Sequence, residues 1–201
     1  MQWKDTAGEF ELPPLGVHVA RCFALIDLGT RSGPYGSKHQ VMIKWELPME
    51  MTEKGRPHEV AGWYTQSLAE KANLRNMLRS WRGKDFTPEQ LKGFDAKSIL
   101  GVPAMVNITE KAKDGGGVRH VVSSVTPLPK GITCPAPANE PIFVSLRPED
   151  FLAADFSKIA DKLQEEIKET PEWKALNSRE TQQWQGAFDD GPPPIDDDVP
   201  F

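Results

Sequence analysis

Hydrophobic and polar residues alternate with period two over most of the first 130 residues, and a helical period intervenes in one place. His39–Leu47 reads HQVMIKWEL, with Val41, Ile43, Trp45 and Leu47 on one side and Gln40, Met42, Lys44 and Glu46 on the other. Pro48 stops that strand, and Trp45 shares the apolar side, so it is expected in the core. Val17–Leu28 (VHVARCFALIDL) is rich in β-branched residues and is closed by Gly29; Phe23 shares a face with Val19 and Leu25 and is also expected inside. A third strand, Glu59–Gln66 (EVAGWYTQ), carries Gly62, the mark of a bulge or of a close approach by another group.

The period then changes. Ser67-Leu68-Ala69-Glu70 has the form of a capping box, and Leu74, Leu78 and Trp81 follow at helical spacing until Gly83. A short second helix is predicted from Thr87, with Pro88 at its first position and Gln90 at its third. Strands return at Val102–Glu110 and Val118–Thr126, joined by the flexible turn KAKDGGG, and Pro127 and Pro129 close this part of the chain. Beyond it, Cys134–Pro148 is expected to run extended over the surface. Asp155–Lys168 is expected to be a helix with Phe156, Ile159, Leu163 and Ile167 on one stripe. Thr170-Pro171 breaks it, a further turn is expected at Pro171-Glu172-Trp173, and from Asn177 onward the chain reads as disordered.

Three strands, a helix and two strands is the order of an OB-fold, a partly open five-stranded Greek-key barrel; a generic α+β sandwich is the rival. A five-stranded sheet is too small to bury both faces unless it curls, which favours the barrel. The expected class is therefore mainly β, with a barrel, a helix between its third and fourth strands, a C-terminal helix and a disordered acidic tail. The expected division is 1–130 for a nucleic-acid-binding barrel, 131–176 for a Pro-rich connector and helix, and 177–201 for the tail.

Charge sharpens this. Residues 1–130 hold 18 Lys+Arg against 14 Asp+Glu, and residues 131–201 hold 6 against 15, so a body of +4 carries a tail of −9. Such asymmetry suits a body that meets polyanions, although ordinary solvated charge with a solubilising tail gives the same balance. No run is long and apolar enough to span a bilayer, and MQWKDTAGEF is no secretory signal, so a cytoplasmic protein is expected. The two cysteines, Cys22 and Cys134, form no C-x-x-C pair. A reduced pair is favoured over a single disulfide.

Motifs of catalysis are missing from the sequence. The four histidines have no metal-ligand spacing, Gly29 to Lys38 fails the phosphate-loop pattern, and no nucleophile elbow occurs. No enzyme, metal or cofactor is expected. On an OB-fold, ligands lie along strands two and three and between the loops joining strands one to two and four to five. GTRSGPYGSK places Arg31, Tyr35 and Lys38 in the first loop, and the second loop carries Lys111 and Lys113, with Arg119 just beyond. Strand two offers Lys44 opposite Trp45, and strand three offers Trp63 and Tyr64, which face opposite ways, so only one is free to stack on a base. Lysines grip phosphates and ring faces stack on unpaired bases at about 1–3 kcal/mol each, with little sequence preference.

The final residues, Asp196-Asp197-Asp198-Val199-Pro200-Phe201, resemble the acidic tip of bacterial single-stranded DNA-binding proteins. The strand–helix–strand body, with YTQSLAEKANLR leading into its helix, resembles OB-fold single-stranded DNA-binding proteins of tailed bacteriophages. The resemblance implies a phage or prophage origin, coating of exposed single strands in replication, recombination and repair, and recruitment of replication and repair proteins through residues 196–201. The extra helices cast the tetramer of the bacterial family in doubt, and a dimer is the expected homo-oligomer. Two other readings stand beside it: an OB-fold protein-interaction adaptor, and an RNA- or duplex-binding OB protein.

Overall fold

The computed structural model describes residues 11–33, 36–113 and 115–178. Its chain order is β1 (Gly16–Gly33), β2 (Gly36–Met51), β3 (Pro57–Thr65), α1 (Asn73–Arg82), α2 (Pro88–Lys92), a 3-10 turn (Ala96–Ile99), β4 (Pro103–Ala112), β5 (Val118–Thr126), β6 (Ile142–Val144), α3 (Ala153–Phe156), α4 (Asp161–Lys168) and α5 (171–178). The fold is mainly β. The sheet runs β3-β2-β1-β4-β5, antiparallel throughout, with β6 added parallel to the second half of β1.

The sheet is open. β3 and β5 are its two edges, and their Cα atoms come within 8 Å, but no ladder joins them among the described residues, so the sheet is not closed into a barrel. α1 lies against β5 and β3 and fills the inner side of the curl. There Leu74, Leu78 and Trp81 meet Val41, Ile43, Trp45 and Leu47, the face that the alternation of β2 predicts. Trp45 and Trp81 pack with ring centroids 5.8 Å apart, and the Trp81 indole N–H donates to the Pro103 carbonyl at 2.9 Å.

The outer face is also covered, which the alternation does not predict. β1 is buried at every position from Cys22 to Gly29. A register shift between Cys22 and Ala24 changes which residues face inward: Cys22 and Leu25 belong to the inner core, Phe23 and Ile26 to the outer one. Phe23 is buried as expected, but on the side opposite Leu25. The outer core is completed by Leu28 and Met42 from the sheet and by Val144, Leu146, Phe156, Ile159 and Ile167 from the C-terminal segment. Burying each such side chain contributes about 1.5–3 kcal/mol, enough to hold a layer with little other structure.

Three further expectations are corrected. α1 begins at Asn73, and Ser67 caps no helix; its hydroxyl accepts from the Ala69 N–H in a local turn. The capping box forms instead at Thr87 and Gln90, as their spacing predicts. The connector is not merely draped. Buried Glu46 accepts from the Ala138 and Asn139 amides and the Asn139 side chain, and Arg21 donates to the Gly101 and Pro135 carbonyls; β6 then joins the sheet. The helix expected over Asp155–Lys168 is two, α3 and α4, turning between Phe156 and Asp161 so that Phe156, Ile159 and Ile167 all reach the outer core. Among the described residues no helix is long and apolar enough to cross a membrane.

Candidate nucleic-acid interface

The stretch expected to be a glycine-rich loop, Gly29 to Lys38, is mostly strand. β1 continues to Gly33 and β2 starts at Gly36, with Arg31 opposite Lys38 and Ser32 opposite Ser37. Tyr35, a predicted contact, lies outside the described residues. The second predicted loop is a hairpin too, and Lys111 stands opposite Arg119. Each hairpin therefore sets two cations face to face, an arrangement that costs stability until an anion intervenes.

The two hairpins differ in how that repulsion is answered. Arg31 is half-buried, 3.0 Å from Glu166 of α4, and its Nε donates to the Leu28 carbonyl at 3.4 Å. Lys111, Lys113 and Arg119 are exposed, and among the described residues no carboxylate stands at ion-pair distance from any of them. The structure groups these three and groups Arg31 with Lys38, but it does not bring the two sets together. Gly16, at the start of β1, pairs with Ile108 beside the β4–β5 hairpin, whereas Gly33 at its end turns the other. The hairpins leave opposite ends of β1, on the order of 50 Å apart along the strand.

Between them lies β3. Trp63 and Tyr64 face opposite ways, as adjacent strand residues must. Trp63 is 59% exposed, while Tyr64 packs into the inner core and burial pushes its phenol up to about 12. The Tyr64 ring fills the space a side chain at Gly62 would need, coming within 2.6 Å of that Cβ position. Gly62 is thus a close approach, one of the two roles its place in the strand predicts, and Trp63 is the ring available for stacking. Lys44 shares the outer face with Trp63: Met42 stands opposite Trp63 and Lys44 opposite Ala61, making Lys44 a diagonal neighbour. Lys44 is only partly open, 2.6 Å from Glu59 and 5.0 Å above the Phe23 ring.

One cluster was not foreseen. Asp27, buried on β1, holds His39 of β2 at 2.5 Å, and the other ring nitrogen lies 3.3 Å from Glu172 of α5. Glu172 also accepts from the Thr30 amide at 2.8 Å and the Thr30 hydroxyl at 2.5 Å. The hydrogen bond to the Asp27 carboxylate raises His39 above its ordinary value; burial opposes this, and the charges of Asp27 and Glu172 and a hydrogen bond to Glu172 add to it. Burial pushes Glu172 up, but the bonds from Thr30, a backbone hydrogen bond at Glu172 itself and the charge of His39 together hold the carboxyl below its usual value. Gly29, at φ +66°, lets Thr170 close onto the strand, where a Cβ would meet the Thr170 hydroxyl at 2.6 Å. The cluster clasps the C-terminal layer to the β1–β2 hairpin. The only trace in the sequence was the polar Asp27 inside an apolar strand.

The other histidines are structural: His18 bonds Glu50 at 3.0 Å, His120 bonds the Pro13 carbonyl at 2.5 Å, and His58 lies 3.9 Å from Glu11. Among the described residues no three His, Cys, Asp or Glu side chains gather to hold a metal. Cys22 and Cys134 are unbridged; burial pushes the Cys22 thiol up to about 12. Residues 196–201, the predicted partner-binding tip, lie outside the described residues. No protein-family model matches the chain, and no curated protein sequence matches it.

Proposed function

We propose that the chain is an OB-like protein that binds single-stranded DNA with little sequence preference, by electrostatics and stacking and not by catalysis. The observation that carries this is the β4–β5 hairpin, where Lys111 faces Arg119 with Lys113 nearby and, among the described residues, no carboxylate pairs with them. A phosphate between two facing cations relieves their repulsion, so the hairpin is stabilised by the ligand it recognises. Trp63 supports the same reading, since an exposed indole on the second or third strand of such a sheet is a platform for an unpaired base. So does the strand order, a β1–β2–β3 meander, a helix packed at one end, then β4–β5 beside β1, which is the path of an OB-fold without its final seam. Recruitment of replication and repair proteins through residues 196–201 belongs to the same proposal and rests on their resemblance to the bacterial tip.

A competition titration with a single-stranded oligonucleotide, the matching duplex and the matching RNA tests it. The single strand should win, with log affinity falling linearly against log salt. Lys111→Ala and Arg119→Ala should each flatten that slope by about 0.7. Trp63→Ala should weaken binding by about 1–3 kcal/mol at any salt. Equal affinity for duplex would favour a duplex binder, and preference for the RNA strand an RNA binder. No binding at low salt would leave the protein-interaction adaptor as the surviving reading.

A further inference from the structure

A cleft of about 430 Å³ opens between the inner side of the sheet, α1, the 91–97 segment and the residues around β6. It lies on the opposite side of β2 and β3 from Lys44 and Trp63, and neither of these nor Lys111 or Arg119 lines it. Its floor is aliphatic: Leu25 of β1, Val41 and Ile43 of β2, and Leu74 and Leu78 of α1. The backbone beneath is already committed. Leu25 pairs with Ile43 and with Phe143 of β6, Val41 with Tyr64 and Ile43 with Gly62, while Leu74 and Leu78 lie within α1. A nucleobase laid on this floor would bring polar edges to a surface without free donors or acceptors, and they would lose their water without return. A hydrocarbon chain has no such groups to satisfy and gains from leaving water.

The rim adds a sign. Three carboxylates border the cleft, and each already has protein donors: Asp27 has His39 and the Gly29 amide, Asp95 the Lys97 amide at 2.9 Å, and Asp150 the Lys97 ammonium at 3.3 Å. Of the three cations, Lys97 is committed to Asp150 and lies 4.6 Å above the Phe143 ring. Lys92 and Arg147 are exposed, and among the described residues no carboxylate stands at ion-pair distance from either. They come from separate segments. Lys92 ends α2, and Arg147 follows β6 in a turn where its amide donates to the Ser145 hydroxyl at 3.2 Å. The cleft therefore sets an aliphatic floor beneath two unanswered positive charges.

We infer that this cleft is a binding site for a medium-chain fatty acid. The acyl chain lies on the floor of Leu25, Val41, Ile43, Leu74 and Leu78, and its carboxylate meets Arg147 and Lys92 at the rim. The Arg147 guanidinium has the planar fork that matches two carboxylate oxygens, and the Lys92 ammonium adds a point charge. The volume lies toward the lower end of ligand pockets, about 300–1,000 Å³, which suits one chain and not a lipid of two. The inference does not rest on nucleic-acid binding, and loss of either reading leaves the other standing.

The test titrates full-length protein, with labelled leucine and isoleucine methyls, with hexanoate, octanoate and decanoate, each below its aggregation concentration. The Leu25, Ile43, Leu74 and Leu78 signals should shift, and the outer-core Leu28 and Ile159 signals should stay. Affinity should rise by up to about fourfold for each added methylene. Octanol should bind more weakly than octanoate. In the double variant Lys92→Ala/Arg147→Ala, octanoate should lose about tenfold, two partly solvated charges at about threefold each, while octanol is unaffected. Both substituted side chains are exposed, so circular dichroism should be unaltered. Floor methyls unmoved by decanoate would overturn the inference, as would equal binding of octanol and octanoate to the unaltered protein. Shifts spread equally over both cores would show unspecific partitioning and overturn it too. Thymidine monophosphate moving the floor methyls more than octanoate would assign the cleft to a nucleotide. Signals that change on dilution of the protein alone would assign it to a second copy, and either result would displace the fatty acid.

Discussion

The two long hairpins of the sheet carry the same unfavourable pairing, Arg31 opposite Lys38 in one and Lys111 opposite Arg119 in the other, yet among the described residues only the first meets a carboxylate. Glu166 reaches Arg31, and Glu172 ties Thr30 and His39 to the same C-terminal layer. The cations of the second hairpin are exposed, and no described carboxylate pairs with them. An acidic segment folded over a basic sheet thus neutralises one end of β1 and leaves the other charged. The net charge of −5 hides this difference, because it sums a neutralised end and an open one.

The comparison fails most completely if the layer is dislodged, because the hairpins would then be alike. Phe156 is the side chain to remove. It is 6% exposed in the outer core, and its ring stacks on Trp173 at 4.4 Å. Phe156→Ala should cost about 3–5 kcal/mol in urea unfolding. The Thr30 amide, bonded to Glu172, should lose its protection from hydrogen exchange before the inner core does. A cost below about 1 kcal/mol would mean that the layer is not held by this core.

That layer is also where the sequence was least legible. The inner core could be read almost residue by residue, because β2 alternates and α1 carries Leu74, Leu78 and Trp81 at one spacing. The outer core could not. Its partners come from segments whose own patterns are short, three residues of β6 and two helical pieces, and only tertiary contact selects them. The register shift at Cys22 put Phe23 on the unexpected side, since period-two reasoning assumes an unbroken ladder. The candidate site was half legible. The cations of the hairpins and the two rings of β3 could be read from residue type and spacing, but nothing local told that Glu166 would occupy Arg31 or that Glu59 would hold Lys44. The choice between Trp63 and Tyr64 needed Gly62 and the ring that covers it.

A smaller effect sharpens the comparison through pH. His39 is raised above its ordinary 6.5, so its contribution to the clasp is complete below that value and is lost as pH rises through the higher folded one. Glu172 is held below 4.5, so its contribution is present above that value and lost as pH falls through the lower folded one. The clasp is therefore strongest between about 4.5 and 6.5 and loosens on the alkaline side first. Thermal unfolding of the unaltered protein and of His39→Gln should differ most between about pH 4.5 and 6.5 and converge as pH rises through the raised value of His39. Parallel curves across that range would show that His39 titrates without being coupled to folding.

The finest test changes one atom pair. Glu166→Gln keeps the shape of α4 and withdraws the charge from Arg31. The pair is partly exposed, 24% and 43% at the two side chains, so the stability cost should stay within about 0–1 kcal/mol. Binding should respond more than stability does. Once Arg31 is released, the β1–β2 hairpin resembles its counterpart, and single-stranded DNA affinity at low salt should rise severalfold. The salt slope should steepen by about 0.7, the share of one further phosphate. Adding Arg31→Ala to Glu166→Gln should return the slope to its starting value, which separates release of the guanidinium from a general loss of negative charge. If the slope stays fixed in the single variant while Lys111→Ala and Arg119→Ala still flatten it, the strand is gripped at one end of β1 alone, and the neutralised hairpin is a structural joint and not a contact.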